Sequence, residues 1–247
     1  MQESYPLTLA LPTNTVHVWQ VALDCSPAAI QRLANTLSTD EIHRATRFYF
    51  ERDRRRFMVS RGTLRTILAA YSSVPPEQLR FHYGPQGKPE LVAVADEVSL
   101  RFNLAHSHEL ALIAVTRGRE LGVDLEWIRP LPAAEAIAGR FFSPNERTVL
   151  RALNGEQQQL TFFTCWTRKE AYLKARGDGL SLPLDQFDVA LAPDEPAALL
   201  RVCGDPVEVK RWLLCALEVP PGYVATLAVE GSGWRLLTSL WCKNMRL

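Results

Sequence analysis

Leu100-Arg101-Phe102-Asn103-Leu104, Leu110-Ala111-Leu112-Ile113-Ala114-Val115-Thr116 and Leu121-Gly122-Val123-Asp124-Leu125-Glu126-Trp127 follow one another as short apolar runs broken by turn residues. With residues 79–83 they make the stretch from 79 to 127 read as strands. On the N-terminal side, residues 15–22 mix Val16, Val18, Trp19 and Val21 as a first strand, and Ser26-Pro27 supplies a helix cap followed by proline at the first helical position. Ile30, Leu33, Ala34 and Leu37 then recur with a helical period, Ser38-x-x-Glu41 reads as a capping box, and a long helix is predicted from about Asp53 to Tyr71 with Phe57, Leu64, Leu68 and Tyr71 on one side. On the C-terminal side, helical texture returns at Ser143-Pro144-Asn145-Glu146 and from Glu156 to Arg176, closed by Gly177. Strands are predicted at 212–217, 223–229 and 234–240, and Ala192-Pro193-Asp194-Glu195-Pro196 reads as a loose connector. Helices, strands, then helices and strands again predict an α+β protein of two units meeting near residue 118, spanning 1–118 and 119–247. No internal repeat is visible letter by letter.

The composition narrows the class. In a chain of 247 residues, 47% hydrophobic and 22% charged is ordinary globular usage, which excludes disordered and low-complexity architectures. Lys plus Arg number 28 against 27 Asp plus Glu, so there is no domain-wide field for nucleic acid. Cys25, Cys165, Cys203, Cys215 and Cys242 are odd in number and scattered, which argues against a disulfide framework or a zinc site and for reduced thiols. The start, Met1-Gln2-Glu3-Ser4-Tyr5-Pro6, has no basic leader region, and no stretch of eighteen apolar residues occurs. The expectation is a cytoplasmic protein that engages neither membrane nor nucleic acid.

Five places can carry chemistry. On a strand, Asp124 and Glu126 share a face; two such carboxylates raise each other's pKa unless a cation lies between them, and oxygen ligands suit Mg²⁺, although a half-solvated strand face looks the same. In Cys165-Trp166-Thr167-Arg168-Lys169-Glu170-Ala171-Tyr172-Leu173-Lys174, the residues Glu170 and Lys174 continue the stripe of Phe162 and Trp166, or form a plain helical ion pair. Arg44, Arg47, Arg52, Arg54, Arg55, Arg56, Arg61 and Arg65 make a local basic cluster against Glu51 and Asp53; most must be solvated, and one or two on the inner face could grip phosphate. The turn Tyr83-Gly84-Pro85-Gln86-Gly87-Lys88-Pro89 can present Lys88 to an anion, and Phe102-Asn103-Leu104-Ala105-His106-Ser107-His108 suits a phosphate better than a metal, lacking a third soft ligand. Glu146 completes a capping box with Ser143 and could also act as a base. Three acids, one lysine and a separate Arg/His cluster describe a Mg²⁺ site serving a multiply phosphorylated small molecule.

The order of these blocks resembles the Sfp-type 4′-phosphopantetheinyl transferases. Gly122-Val123-Asp124-Leu125-Glu126 is followed about forty residues on by Trp166-x-x-Lys169-Glu170-Ala171-x-x-Lys174, and the Tyr83–Pro89 turn, the Asn103–Ser107 segment and Phe141-Phe142-Ser143-Pro144-Asn145-Glu146 match further blocks between about Ser38 and Leu182. The resemblance implies transfer of the phosphopantetheine arm of coenzyme A to a serine of an apo acyl or peptidyl carrier protein, releasing adenosine 3′,5′-bisphosphate. It implies a pseudo-dimer of two similar α+β halves with CoA between them, and a monomer. It also implies that Asp124, Glu126 and Glu170 hold Mg²⁺, that Lys174 neutralises phosphate charge, and that Glu146 or Glu170 takes the serine proton. Arg44, Lys88 and His106 would contact CoA's phosphates. The backbone of Tyr83, Gly84, Pro85, Gln86, Gly87 and Lys88 would line the nucleotide, with Asn103, Leu104 and Ala105 beside it. Ala105 stands where the family usually has serine, which implies CoA binding weaker by about 1 kcal/mol.

A Mg²⁺-dependent nuclease would use similar acids, but the near-zero net charge argues against a groove for DNA. A catalytically silent phosphate-binding or carrier-docking protein of the same fold is the other alternative, and retention of Asp124, Glu126, Glu170 and Lys174 argues against it.

Overall fold

The computed structural model describes residues 9–92, 99–177, 179–192 and 195–241. The chain start, Pro193 and Asp194 of the expected connector, and Cys242 lie outside the described residues. In chain order the elements are β1 (Thr15–Ala22), α1 (Pro27–Ala34), α2 (Thr39–Thr46), α3 (Glu51–Ser72), β2 (Phe81–Tyr83), β3 (Pro89–Leu91), β4 (Leu100–Ser107), β5 (Leu110–Arg117) and β6 (Leu121–Trp127). They continue as α4 (Ala134–Phe141), α5 (Pro144–Arg151), α6 (Gly155–Arg176), β7 (Phe187–Val189), β8 (Leu199–Val202), α7 (Glu208–Arg211), β9 (Trp212–Ala216), β10 (Tyr223–Glu230) and β11 (Arg235–Trp241). Among the described residues no helix is long and apolar enough to cross a membrane.

The protein is α+β and divides into two compact units: Met1–His82, Pro89–Gly118 and Trp234–Leu247 in one, Tyr83–Lys88 and Arg119–Gly233 in the other. The chain passes from one unit to the other at Gly118/Arg119, and two segments lie apart from a simple division there. Strand β11 pairs in parallel with β1, from Thr15↔Arg235 to Val21↔Trp241, so β11 belongs with the first unit. The Tyr83–Lys88 turn groups with the second unit because Lys88 bonds there. Neither pairing is local in sequence, so neither could be read from a linear boundary.

The units share a topology that the letters do not show. In the first, strand β1 is followed by the 22-residue helix α3 and the antiparallel pair β4–β5, whose last strand inserts beside β1, giving the order β11-β1-β5-β4. In the second, β6 is followed by the 22-residue helix α6 and then β9 and β10, whose last strand again inserts beside the first, giving β6-β10-β9. The core of the first unit gathers Leu64, Ile67 and Leu68 of α3 with Val21, Phe102, Ile113 and Val115 of the sheet; that of the second gathers Phe162, Phe163 and Tyr172 of α6 with Phe187, Trp212 and Leu214.

Local signals explain where most elements begin. The Ser26 hydroxyl accepts from the Ala29 N–H, and both capping boxes form, Ser38/Glu41 and Ser143/Glu146. Gly177 ends α6 with φ 78°, a left-handed conformation that suits glycine. Helix α4 was not predicted, because its cap position is Ala133 and carries no side-chain acceptor.

A partly buried polar chain pins the first unit together. Trp19 Nε1 donates to Tyr71 Oη (3.1 Å), Tyr71 Oη lies 2.5 Å from His17 Nδ1, and His17 Nε2 lies 2.9 Å from Ser239 Oγ of β11. Burial pushes the His17 pKa down from 6.5 to about 4, which favours the neutral ring with one nitrogen donating and the other accepting. A histidine depressed in the fold contributes stability that is present above pH 6.5 and lost as pH falls through 4. Because the ring is only partly buried, the expected loss between pH 7.5 and 4.5 is about 2 kcal/mol. Denaturation midpoints at the two pH values should show that loss in the wild type and a smaller one in His17→Gln; equal losses would exclude His17 as its source.

Candidate active site

Strand β6 lies against the last turns of α6 at a separation only glycine permits. A Cβ built on Gly122 would sit 2.3 Å from both Ala171 O and Ala175 N and 2.8 Å from Lys174 C. Strand alternation then turns Asp124 and Glu126, on the same face as Gly122, toward α6. Behind them Thr167 Oγ1 meets Thr226 Oγ1 of β10 at 3.2 Å, and Thr226 is the register partner of Asp124.

At this seam Lys174 Nζ lies 2.5 Å from Asp124 Oδ1. Lys174 thus pairs across to the strand, so the plain helical pair with Glu170 is not its closest partnership. Asp124 Oδ2 is buried and has no hydrogen-bond partner. Burial pushes the Asp124 carboxyl up to about 7; Glu170 and Glu126 push the same way, and Lys174 opposes them. Burial likewise raises Glu170, Glu126 adds to the rise, and Lys174 opposes it. Glu126, half-buried, has Arg129 Nη1 3.4 Å from its Oε2. Asp124 and Glu170 thus both feel the charge of Glu126. Among the described residues, however, no three Asp, Glu, His or Cys side chains converge as a ready coordination shell. The donor chemistry still fits a hard divalent ion: oxygen ligands only, mutually repelling charges, and one orphaned buried carboxylate oxygen.

Glu146 is differently committed. It is 2% exposed, its Oε2 accepts from Ser143 N (2.9 Å) and lies 2.8 Å from Lys169 Nζ, and its Oε1 accepts from Val189 N (2.9 Å). Lys169, wholly buried, also donates to Leu184 O and Phe187 O, both at 2.7 Å. The first unit repeats this device. Glu41 is the third residue of its helix, as Glu146 is of its own. It accepts from Ser38 N at 3.0 Å and from Arg65 Nε at 2.6 Å, with Arg61 also on its carboxylate. Arg65 and Lys169 each lie fourteen residues beyond the first residue of their 22-residue helices. At the positions of Glu170 and Lys174 the first unit has Thr66 and Ala70. The repeat separates scaffold, present twice, from chemistry, present once. Glu146, expected as a cap or a base, has both oxygens occupied inside the fold, as the cap requires.

Other expectations also change. Lys88 was expected on a phosphate, but its ammonium donates to Glu120 Oε2 (2.9 Å), Ala175 O (3.0 Å) and Leu121 O (3.3 Å), which uses all three hydrogens to tie the turn to β6 and α6. The turn itself closes through Gly84 N→Lys88 O (2.9 Å) and Gly87 N→Gly84 O (2.8 Å), with Gly87 at φ 81°. The inner-face arginines Arg61 and Arg65 are buried and spent on Glu41; burial would raise that carboxyl, yet the arginines outweigh it and hold its pKa below the usual range. Arg44 is exposed on α2 with its guanidinium over Phe57, 5.5 Å from the ring centre. Strand β4 runs to Ser107, so alternation puts Asn103 and Ala105 on one face and Leu104 and His106 on the other. Asn103 and Ala105 are buried and His106 exposed, so the segment is not a single phosphate-facing surface.

Comparison with known proteins gives the family. The family profile "4'-phosphopantetheinyl transferase superfamily" matches residues 120–228, and "4'-phosphopantetheinyl transferase, N-terminal" matches residues 22–118. The 4'-phosphopantetheinyl transferase HetI of Nostoc sp. is 46% identical over 230 residues, covering 93% of this chain and 94% of that protein. The chain belongs to the 4′-phosphopantetheinyl transferase family. The 4'-phosphopantetheinyl transferase Sfp of Bacillus subtilis is 30% identical over 194 residues, covering 78% of this chain and 82% of that protein. The chain is thus a transferase of phosphopantetheine from coenzyme A to carrier proteins, and the nuclease alternative falls away. In this transferase, sequence reasoning missed the close approach at Gly122, whose only signal was a glycine inside a strand, which marks close backbone contact.

Proposed function

We propose that this phosphopantetheinyl transferase works through the cluster at the β6–α6 seam. Asp124, Glu126 and Glu170 would hold Mg²⁺, which when bound supplies charge neutralisation at the pyrophosphate of CoA. The carrier serine hydroxyl attacks the phosphorus that carries the pantetheine arm, the bond from that phosphorus to the oxygen of adenosine 3′,5′-bisphosphate breaks, and the serine proton passes to Glu170. Lys174 donates to the phosphate oxygens as charge builds on the leaving group. The observation that carries the reading is Asp124, with Lys174 on one oxygen and the other orphaned inside the fold.

Exposed Arg44 and His106 are assigned to CoA's phosphates and the Tyr83–Lys88 backbone to its nucleotide, whereas the Lys88 ammonium is assigned to holding the turn. The expected setting is a monomer in the cytoplasm, consistent with Cys25, Cys165, Cys203 and Cys215 forming no disulfide.

Mass spectrometry of an apo acyl or peptidyl carrier protein incubated with this chain, CoA and Mg²⁺ should show the gain of one phosphopantetheine. Excess chelator should abolish the gain and added Mg²⁺ restore it. Full transfer in excess chelator would remove the metal from the mechanism, and no transfer under any condition to either carrier class would remove the reaction.

A further inference from the structure

The back of α6 is gripped as tightly as its front. Glu208 of α7 is 6% exposed, and its Oε1 accepts from Trp212 Nε1 at 2.7 Å and from Tyr172 Oη at 3.2 Å. Arg176 Nη1 lies 3.4 Å from the same oxygen and donates to Tyr172 Oη at 3.1 Å, while Arg211 Nη1 lies 3.6 Å from Oε2. Arg211 is itself anchored to Glu230 of β10 at 3.0 Å. One buried carboxylate thus gathers donors from α6, α7 and β9.

Tyr172 and Arg176 each follow Glu170 and Lys174 by two residues, a rotation of about 200° around a helix. The two pairs therefore leave opposite sides of the same two turns. Glu170 and Lys174 face β6, where the contact at Gly122 sets the separation. Tyr172 and Arg176 face Glu208, whose charge-assisted bonds set the rotation. Rolling α6 so as to carry Lys174 away from Asp124 would stretch the bonds behind it.

Resting on the reaction assigned above, we propose that Glu208 is a positioning residue for that reaction, holding the last two turns of α6 so that Lys174 addresses Asp124. It touches no reacting atom. Its effect passes through Lys174, which makes the claim testable by coupling.

The experiment measures kcat, the KM values for CoA and carrier, and the unfolding midpoint in wild type, Glu208→Gln, Lys174→Ala and the double variant. Glutamine keeps the size but loses the charge and one acceptor oxygen. Glu208→Gln should lower kcat about tenfold, as a small misplacement of a catalytic group does, with both KM values changed less than about twofold. In the Lys174→Ala background the same substitution should lower kcat by less than about twofold. Tyr172→Phe, which removes the hydroxyl between Arg176 and Glu208, should show the same pattern with a smaller loss, and it carries the test if Glu208→Gln does not fold. An unchanged kcat with only a lowered midpoint, or equal losses in both backgrounds, would overturn the proposal. A wild type that transfers nothing would instead remove the reaction on which it rests.

Discussion

Lys174→Ala is expected to lower kcat about a hundredfold, equivalent to about 3 kcal/mol of transition-state stabilisation, with the KM for CoA changed far less. The side chain is partly exposed at the open edge of the seam, so it can reach a ligand, while its nearest partner, Asp124, is buried. A donor that serves charge developing on the leaving group acts more in the transition state than in the ground state, which is why kcat carries the loss. Stability should fall as well, because removing the ammonium leaves Asp124 without its nearest cation. The fall is limited: the Asp124 pKa is already pushed up to about 7, so without Lys174 the group can take up a proton and need not remain as a buried charge. Measuring kcat and the unfolding midpoint on one preparation separates the roles. A lowered midpoint with unchanged kcat would make Lys174 a structural partner of Asp124 and nothing more.

Much of this arrangement could be read before any coordinates. The β6 strand was expected at 121–127 and forms at Leu121–Trp127, because alternation and flanking turn residues are local signals. Both capping boxes and the Gly177 stop are equally local. Spacing alone set Asp124 and Glu126 on one strand face and Glu170 and Lys174 one turn apart on a helix. What it could not supply was partnership across the chain. Lys88 looks like a presented cation in Gly-Lys-Pro, yet its acceptors come from residues 120, 121 and 175. The arginines of α3 look like a phosphate grip, yet the two innermost meet a carboxylate one helix earlier. The repeat of the two units was invisible because a topology tolerates exchange of nearly every core side chain, provided that volume and patterning are kept. Once the helices are superposed by position, it also bears on Glu146: a capping glutamate near the family's motifs carries the same letter whether it serves the cap or the substrate.

Glu146→Gln is expected to destabilise the protein by roughly 3–5 kcal/mol while leaving kcat per folded molecule within about twofold of wild type. The amide preserves an acceptor for the Ser143 or Val189 N–H but leaves the ammonium of Lys169, wholly buried, without its counter-charge. Lys169 cannot turn to solvent, since Leu184 O and Phe187 O hold it at 2.7 Å and the Phe187 ring lies 4.2 Å away. Removing the charge together with the carboxylate should therefore cost less than the two separate losses combined: Glu146→Gln/Lys169→Met is expected to be more stable than the sum of its single variants predicts. Glu41→Gln in the first unit should be destabilising for the same reason, with Arg65 and Arg61 left uncompensated, and no one would look for a base there. Denaturant unfolding of the four variants, with kcat referred to the folded fraction, tests all of this at once. A base at Glu146 makes the opposite demand: a loss of a hundredfold or more in kcat for the folded enzyme, a small change in stability, and no parallel with Glu41. That result would return the proton to Glu146 and take it from Glu170.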